Sequence, residues 1–334
     1  MEPLASGHET VPLGEDDEAD MEKYFAPFPG GTIRLNPGSW VFPAAFLKYA
    51  DKIYNFQWRA SDVVVITLPK CGTTWMQEIV WTMRNNPDLL NPTATLPIMT
   101  RVPFIDLDMF RPKENSQSSP GSNSVEGINH QLAVATPDPR TIKTHFPLSL
   151  LHPTLLNTCK VVYVARNPLD VVVSLLHHFR LVKTFNFRGS LDNIIDFFVS
   201  DKLRYQPFWR HVNEAWQKRH HPNFHFVFYE DLKADIMAEL EKLNEFLSTN
   251  LSQEQLLNVA NYTGFNEMAG RDNLMGPKTE DNPRYSQEVV RQEGGFFRKG
   301  EVGNWKEKLN PKQVDKIDKW TKKNMSEIPF KYIL

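Results

Sequence analysis

Cysteine, long apolar runs and a strong excess of charge of either sign are all scarce in this sequence. The two cysteines, Cys71 and Cys159, are too few for a disulfide framework and suit a reducing compartment. No apolar run approaches the roughly 18 residues of a membrane-spanning helix, and the acidic N-terminus lacks the apolar segment of a secretory signal. The net charge of −2 argues against a general nucleic-acid-binding protein. We therefore expect a cytoplasmic protein that binds neither membranes nor nucleic acid.

The apolar content of 41% is sufficient for a sizeable core. Residues 1–22 contain an acidic cluster and few large apolar groups, which predicts a flexible acidic tail. In residues 23–334, strand-like and helix-like segments alternate. This pattern predicts a single three-layer α/β domain with a mostly parallel sheet flanked by helices. Two segments interrupt it: residues 111–139 are predicted to form a loop insertion, either a lid or an idle surface loop, and residues 270–300 a mobile loop.

A short apolar strand followed by a glycine-containing loop and a helix is the clearest local signal. Val63–Thr67 has the β-branched composition of a buried strand, and apolar residues at helical spacing begin near Thr73. Lys70 adds a full positive charge to the unpaired backbone N–H groups of such a helix start, which attract anions. The loop departs from the GxxxxGK[ST] pattern of nucleotide-triphosphate-binding loops because Lys70 precedes Gly72. The spacing predicts a P-loop-like phosphate site without a built-in metal ligand.

A second segment combines a cation with a titratable base. Residues 141–144 are predicted to form a strand, whose alternation places Lys143 and His145 on one face. A lone histidine is more often structural, and the neighbouring lysine only partly offsets that reading. Phe104 and Ile105, in the segment RVPFID, are candidates either for lining a pocket or for packing in the core.

A third segment places an arginine at the end of a strand. Residues 159–165 are predicted to form a buried strand that ends at Arg166, and a helix that carries Ser174 begins at Pro168. Ligands of open parallel sheets bind at the edge formed by the carboxyl ends of the strands. A guanidinium there is suited to bidentate phosphate recognition. A salt bridge to Asp170 is the structural alternative.

Six motifs in a fixed order resemble those of the cytosolic sulfotransferases, which use 3′-phosphoadenosine 5′-phosphosulfate (PAPS). They are TLPKCGTTW, RVPF, KTHFPL, VYVARNPLDVVVS, FYEDL and FFRKGEVGNW. The extended N-terminus, the central insertion and the sequence of the fourth motif are similar to those of the insect retinol dehydratase branch. The resemblance implies sulfuryl transfer to a hydroxyl of a small lipophilic acceptor, such as a phenol, steroid or retinoid, without a metal. The product nucleotide would be 3′-phosphoadenosine 5′-phosphate (PAP).

The resemblance also implies roles for individual residues. Lys70 would contact the oxygen that bridges phosphate and sulfate, Lys143 would stabilise the transferring sulfuryl group, and His145 would take the proton from the acceptor hydroxyl. Ser174 is counted with this catalytic group. The residues implied in nucleotide binding are Lys70, Cys71, Gly72, Thr73, Thr74, Trp75, Arg166, Ser174, Tyr229, Thr263, Phe265, Arg298, Lys299 and Gly300. The residues expected to line the acceptor pocket are Phe104, Ile105, Phe146 and Phe179.

Three departures from the family pattern matter. Cys71 replaces the usual serine, which puts a thiol at a helix N-terminus where its pKa should fall. Alkylating reagents would then inactivate the protein, and bound nucleotide would protect it. Gly264 stands where the family usually has serine beside the adenine. The motif that mediates homodimers in the family is degraded around Lys306 and Asp315, so dimerisation by that route is in doubt.

Three alternative functions remain open. Sulfation of an allylic alcohol followed by loss of sulfate would make the protein a dehydratase on the same site. A nucleotide- or ligand-binding protein without turnover is disfavoured by the presence of both Lys70 and His145, because binding alone needs no base. A nucleotide kinase is disfavoured by the absence of recognisable magnesium ligands.

Overall fold

Short segments rich in β-branched and aromatic residues form two sheets. The computed structural model describes residues 2–27, 30–110, 127–276, 282–325 and 328. The strands are β1 (Glu9–Pro12), β2 (Thr32–Asn36), β3 (Trp40–Pro43), β4 (Val63–Thr67), β5 (Thr141–Thr144), β6 (Lys160–Ala165) and β7 (Phe224–Phe228). Strands β1, β2 and β3 pair antiparallel in that order, whereas β5, β4, β6 and β7 pair parallel in that order. The parallel sheet confirms the predicted α/β class.

The register of the parallel sheet aligns the carboxyl ends of its strands. Ile66 lies opposite Thr144 in β5, and Ala165 in β6 lies opposite Phe228 in β7. The chain therefore leaves the sheet along one edge four times, which brings distant segments together. The residues that follow the four strands are Leu68, His145, Arg166 and Tyr229.

Helices cover both faces of the parallel sheet. The helices are α1 (Glu15–Tyr24), α2 (Ala50–Tyr54), α3 (Thr73–Asn85), α4 (Ile98–Arg101), α5 (Ile128–Ala135), α6 (Leu155–Thr158), α7 (Pro168–Leu181), α8 (Leu191–Val199), α9 (Phe208–Gln217), α10 (Tyr229–Ala234), α11 (Ile236–Leu247), α12 (Gln253–Tyr262), α13 (Phe265–Gly270), α14 (Asp272–Met275), α15 (Gln287–Glu293), α16 (Trp305–Lys308) and α17 (Pro311–Asn324). Short 3₁₀ turns occupy Ala44–Lys48, Pro92–Thr95, Leu107–Phe110 and Leu148–Leu150. None of the helices in the described ranges has the length and apolar content needed to span a bilayer.

The alternation of side chains along β4 divides the core between the two faces. Val64 and Ile66 belong to a buried cluster that includes residues of α7, α8 and α9. Val63 and Val65 belong to a second cluster, with residues of α3, α11 and α12. A strand that is buried on both faces needs apolar residues at every position, which explains the continuous valine and isoleucine run. These are the three predicted layers.

The predicted flexible tail is wrong for the described residues 2–22. Strand β1 pairs with β2, and α1 places Met21 in the core. Part of the acidic cluster is neutralised, because Asp17 in α1 pairs with Lys202 at 2.5 Å and with Arg34 at 3.3 Å. These contacts join segments that are far apart in the sequence, so local composition could not indicate them.

The two predicted loops are also partly wrong. Residues 111–126 and 277–281 lie outside the described residues, but the remaining parts of both segments contain helices. Helix α5 lies within the first segment, and α14 and α15 lie within the second. His177 of α7 contacts the carboxylate of Glu293 at 3.1 Å and the Gly295 carbonyl at 3.0 Å. These contacts fasten the end of α15 to α7.

Candidate active site

A cavity of about 570 Å³ lies at the edge where the four parallel strands end. Its volume is within the usual range of small-molecule sites. The predicted site residues that line it are Lys70, Gly72, Thr73, Thr74, Trp75, Phe104, Lys143, His145, Arg166, Ser174, Phe179, Tyr229, Thr263, Phe265, Arg298, Lys299 and Gly300. The structure therefore brings together residues from seven separated segments of the chain.

The loop between β4 and α3 forms one end of the cavity. Gly72 has a left-handed φ of +97° and directly precedes α3. A Cβ atom at this position would lie 2.6 Å from the ring of Tyr229, so only glycine allows this close approach. The hydroxyls of Thr73 and Thr67 are 2.6 Å apart, which fixes the first turn of the helix against the strand. The first turn of α3 carries no acidic residue, and its unpaired N–H groups favour an anion.

Positive charge is concentrated at this end of the cavity. Burial, together with the nearby charges of Arg166, Arg298 and Lys143, lowers the pKa of Lys70 to about 7. Like charges at close range destabilise one another, and a bound anion would relieve that repulsion. Within the described residues, no three histidine, cysteine or acidic side chains are grouped as a metal site.

Arg166 is held at the edge of the sheet by two carbonyl groups. Its guanidinium donates hydrogen bonds to the carbonyls of Lys70 at 3.1 Å and Glu301 at 3.0 Å. Its buried Nε–H group has no hydrogen-bond partner among the described residues. The carboxylate of Asp170 instead accepts a hydrogen bond from the backbone N–H of Gly303 at 2.8 Å. Arg166 thus retains donors for a ligand, and the salt-bridge alternative is not supported.

His145 is oriented as a neutral base. Its Nδ1 atom lies 2.7 Å from the carbonyl oxygen of Thr67. Because a carbonyl only accepts, Nδ1 carries the proton and the lone pair is on Nε2. Burial, followed by the nearby charge of Lys143, lowers the pKa of His145 well below its usual 6.5. The imidazole is therefore neutral and able to accept a proton at physiological pH.

Aromatic residues continue the cavity beyond His145. The ring centroid of Phe104 lies 5.2 Å from that of His145 and 3.9 Å from the Lys143 ammonium. Tyr205 lies on another side of the imidazole, at 5.3 Å. The lining residues that sequence reasoning missed include Phe110, His177, His178, Phe185, Arg204, Tyr205, Tyr285 and Phe296. They come from segments far apart in the sequence, and no local pattern marks them as neighbours.

A second wall of the cavity is formed by Trp75, Tyr229 and Phe265. The rings of Trp75 and Tyr229 meet edge to face at 5.6 Å. A Cβ atom on Gly300 would lie 2.2 Å from the Phe265 ring, so the glycine backbone packs directly on this ring. The hydroxyl of Thr263 is buried and donates to the Val259 carbonyl at 2.8 Å.

Three predicted site residues are not among those that line the cavity. Ile105 and Phe146 are buried in the core rather than at the cavity, and Phe146 packs against Phe42 and Phe46. Cys71 is 1% exposed, and burial raises the pKa of its thiol to about 12. The expected reactive thiol is therefore wrong, because desolvation outweighs the effect of the helix N-terminus.

These features place an anion-attracting loop and a neutral base in one cavity, and comparison with known proteins specifies the class. A family model for the sulfotransferase domain matches residues 60–329. The chain therefore belongs to the sulfotransferase family, whose members transfer a sulfuryl group to an acceptor hydroxyl.

Sequence relatives and solved structures agree with this assignment. Human sulfotransferase 1E1 is 32% identical over 289 residues, which cover 86% of this chain and 91% of that protein. The luciferin sulfotransferase of Photinus pyralis is 30% identical over 290 residues, covering 85% of this chain and 77% of that protein. Crystal structures of retinol dehydratase, one with androsterone and inactive cofactor PAP and one with retinol and PAP, match with a TM-score of 0.85 and 29% identity over 99% of both chains. The predicted resemblance to that branch is confirmed.

Proposed function

We propose that this protein transfers the sulfuryl group of PAPS to a hydroxyl of a small, largely apolar acceptor. The observation that carries this proposal is the position of His145 within the cavity. Its Nδ1 atom is bonded to Thr67, whose hydroxyl contacts Thr73 of the anion-binding loop. Its ring packs against Phe104 and Tyr205 in the aromatic part. A base at this junction can reach both a donor and an acceptor.

The residues at the charged end fit a nucleotide with two separated phosphate positions. Lys70 and the first turn of α3 would hold the phosphosulfate end. The free Nε–H of Arg166 suits a second phosphate. Further contacts to that phosphate would come from Ser174, Arg298, Lys299 and Gly300, and adenine contacts from Trp75, Tyr229, Thr263 and Phe265. The ammonium of Lys299 contacts Glu307 at 2.6 Å in this structure, and its remaining N–H groups could donate to the phosphate.

Sulfuryl transfer requires the protein mainly to position the donor and the acceptor and to stabilise the charge that develops. PAPS, when bound, supplies the sulfuryl group. The Nε2 atom of His145 would accept the proton of the acceptor hydroxyl, which contributes typically ~10²–10⁴-fold to such reactions. The ammonium groups of Lys70 and Lys143 would stabilise the negative charge that develops during transfer. The aromatic walls exclude water from these groups and strengthen their electrostatic effect.

An acceptor of retinoid or steroid type fits the aromatic part of the cavity. Phe104, Phe179, Phe185 and Phe296 supply largely apolar walls, and the retinol dehydratase structures contain retinol or androsterone. The same similarity favours a second candidate, sulfation of an allylic alcohol followed by elimination of sulfate.

We also propose a cytoplasmic location, which the two unpaired cysteines support. Homodimer formation stays a prediction. In the segment of the degraded motif, Asn310 caps α17 and Pro311 begins it.

The first test is a thermal-shift titration with PAP, with ATP and magnesium as the control. A ligand at 100 times its Kd adds roughly 2.7 kcal/mol of stability. We expect a shift with PAP alone, which Arg166→Gln reduces and the exposed matched control Arg188→Gln does not. A larger shift with magnesium ATP would contradict the proposal.

The second test is transfer of ³⁵S-labelled sulfate from PAPS to retinol, androsterone and simple phenols. Mass spectrometry of the products separates the two candidate reactions, because elimination leaves neither the hydroxyl nor sulfate. His145→Gln should abolish both. Absence of labelled or dehydrated product from every acceptor, in a protein that binds PAP, would leave a nucleotide-binding function instead.

A further inference from the structure

A fully buried carboxylate braces the segment that carries both proposed catalytic side chains. Asp106 is 0% exposed. Its Oδ1 accepts a hydrogen bond from the Thr144 hydroxyl at 2.7 Å, and its Oδ2 accepts one from the backbone N–H of His145 at 2.8 Å. Phe104, two residues earlier, forms a parallel bridge with Lys143. The segment 103–106 therefore acts as a short additional strand along the end of β5.

Asp106 is also the charge that balances the buried Lys143. The titratable groups that interact electrostatically with Lys143 are Asp106, Lys70, His145 and His178. Asp106 is the only carboxylate among them. Burial lowers the pKa of Lys143 to about 8, and the Asp106 carboxylate opposes that shift. An opposite charge at close range favours the charged form by about 1–3 pKa units.

The state of Asp106 fits this role. Both of its oxygens accept hydrogen bonds, which is the pattern of an ionised carboxylate. Burial, opposed by these bonds and by Lys143, raises its pKa to about 7. The phenol of Tyr205 lies beside it, and burial together with the Asp106 charge raises the pKa of Tyr205 well above 10. Tyr205 therefore stays neutral and adds no second negative charge beside Asp106.

We infer that Asp106 is a positioning residue for sulfuryl transfer, because its carboxylate ties the His145 backbone to the segment that carries Phe104, whose ring lies 3.9 Å from the Lys143 ammonium. The inference rests on the proposed function, which assigns Lys143 and His145 their roles. The effect extends one step further. Burial is the main cause that lowers the pKa of His145, and a charged Lys143 lowers it further, so the carboxylate that keeps Lys143 protonated also favours the neutral imidazole.

Asp106→Asn tests the charge, because it preserves the size of the side chain and one acceptor oxygen. Lys143 is required in its protonated form, so activity is lost as pH rises through its pKa. Removing the carboxylate lowers that pKa, and the high-pH limb of the kcat profile, measured at saturating PAPS so that the bound anion keeps Lys70 protonated, should move down by about 1–3 pH units. If the pKa of Lys143 falls by one unit, the protonated fraction of Lys143 at pH 8 falls from about one half to about one tenth. Activity at pH 8 should then fall roughly fivefold.

Two controls separate this effect from structural damage. Arginine does not titrate in this range. In a Lys143→Arg background, Asp106→Asn should therefore not change the pH dependence of activity on the high-pH side. Asp108→Asn is the matched control. Asp108 is a second buried carboxylate, which accepts hydrogen bonds from the backbone N–H groups of Asn129 at 3.1 Å and His130 at 3.0 Å. Its loss should reduce thermal stability without moving the limb.

A measurement without turnover distinguishes failure of this inference from failure of the proposed function. NMR of ¹³Cε-labelled lysine follows the titration of Lys143, whose signal is identified by its absence in Lys143→Arg. We expect a lower pKa for Lys143 in Asp106→Asn. In the wild-type protein, the Lys143 signal should also respond when Asp106 ionises.

Two results would overturn the inference. One is an Asp106→Asn profile that is lower at every pH by the same factor. The other is a wild-type Lys143 that titrates in a single uncoupled step, and this second result applies even if Asp106→Asn does not fold. Absence of any PAPS-dependent product in the wild type would instead count against the proposed function and leave the NMR result valid.

Discussion

Replacing Gly300 by alanine should weaken PAP binding more than replacing Gly303 does. Both glycines lie in the segment that carries Arg298, and both have left-handed φ angles, +64° and +81°. An alanine in that region costs roughly 1–2 kcal/mol at either position. Only at Gly300 does the new Cβ meet another group, 2.2 Å from Cδ2 of Phe265, whereas at Gly303 nothing lies within 4 Å. The pair therefore isolates the steric effect on the Phe265 ring.

The size of the difference follows from the proposed role of Phe265. A Cβ at 2.2 Å from the ring cannot be accommodated unless the ring moves. Stacking of a base on an aromatic side chain contributes roughly 1–3 kcal/mol. If displacement of Phe265 removes that stacking, Gly300→Ala should raise the Kd of PAP about 5- to 150-fold beyond the effect of Gly303→Ala.

Isothermal titration calorimetry with PAP measures these affinities directly. Both alanine variants are compared in the wild-type protein and in a Phe265→Ala background, where the additional effect of Gly300→Ala should disappear. Thermal unfolding without ligand shows whether either variant damages the fold. Equal losses of affinity for Gly300→Ala and Gly303→Ala would refute the reasoning, as would an additional loss that persists without the ring.

The buried ion pair between Asp62 and Arg140, with Nη2 and Oδ2 at 2.5 Å, predicts that Asp62→Ala lowers the free energy of unfolding by about 3–5 kcal/mol. Urea denaturation measures this loss, and a change below about 1 kcal/mol would contradict it. With a pKa of about 7, Lys70 is mostly neutral in the free protein at pH 8 and becomes protonated beside a bound anion. PAP binding should therefore take up about one proton, seen by calorimetry in buffers of different ionisation enthalpy and absent in Lys70→Met. Because Cys71 is buried with a pKa near 12, iodoacetamide at pH 8 should leave it unmodified with or without PAP, and rapid labelling in mass spectrometry would argue against this burial.

The elements that local patterns predict well are those with a strong period or a clear boundary. Strand β4 and the start of α3 occur at the predicted residues, and β5 matches its predicted range. Helix α7 begins at Pro168 as predicted, with Asn167 as its cap. These signals are contained within about ten neighbouring residues, so they survive without knowledge of the rest of the fold.

The elements that sequence reasoning missed depend on distant partners. Strands β1, β2 and β3 are short, and each is stabilised by its neighbour in the antiparallel sheet rather than by its own composition. Helix α1 is acidic and has few apolar residues, and its position is set by Met21 and by the ion pair between Asp17 and Lys202. Such contacts close long loops and leave no periodic signal in the sequence.

The sequence by itself determined the class of protein and the chemical groups at the donor site. Lys70, Gly72 and the start of α3 are contiguous, so their spacing is sufficient to indicate a phosphate loop. Only the tertiary structure decided which side chains reach the cavity. Phe104 faces it and Ile105 faces the core, because the direction of each side chain is set by the pairing of that segment with β5. The acid–base state of the site was decided in the same way, since the burial that shifts Lys70, Lys143 and His145 comes from segments throughout the chain.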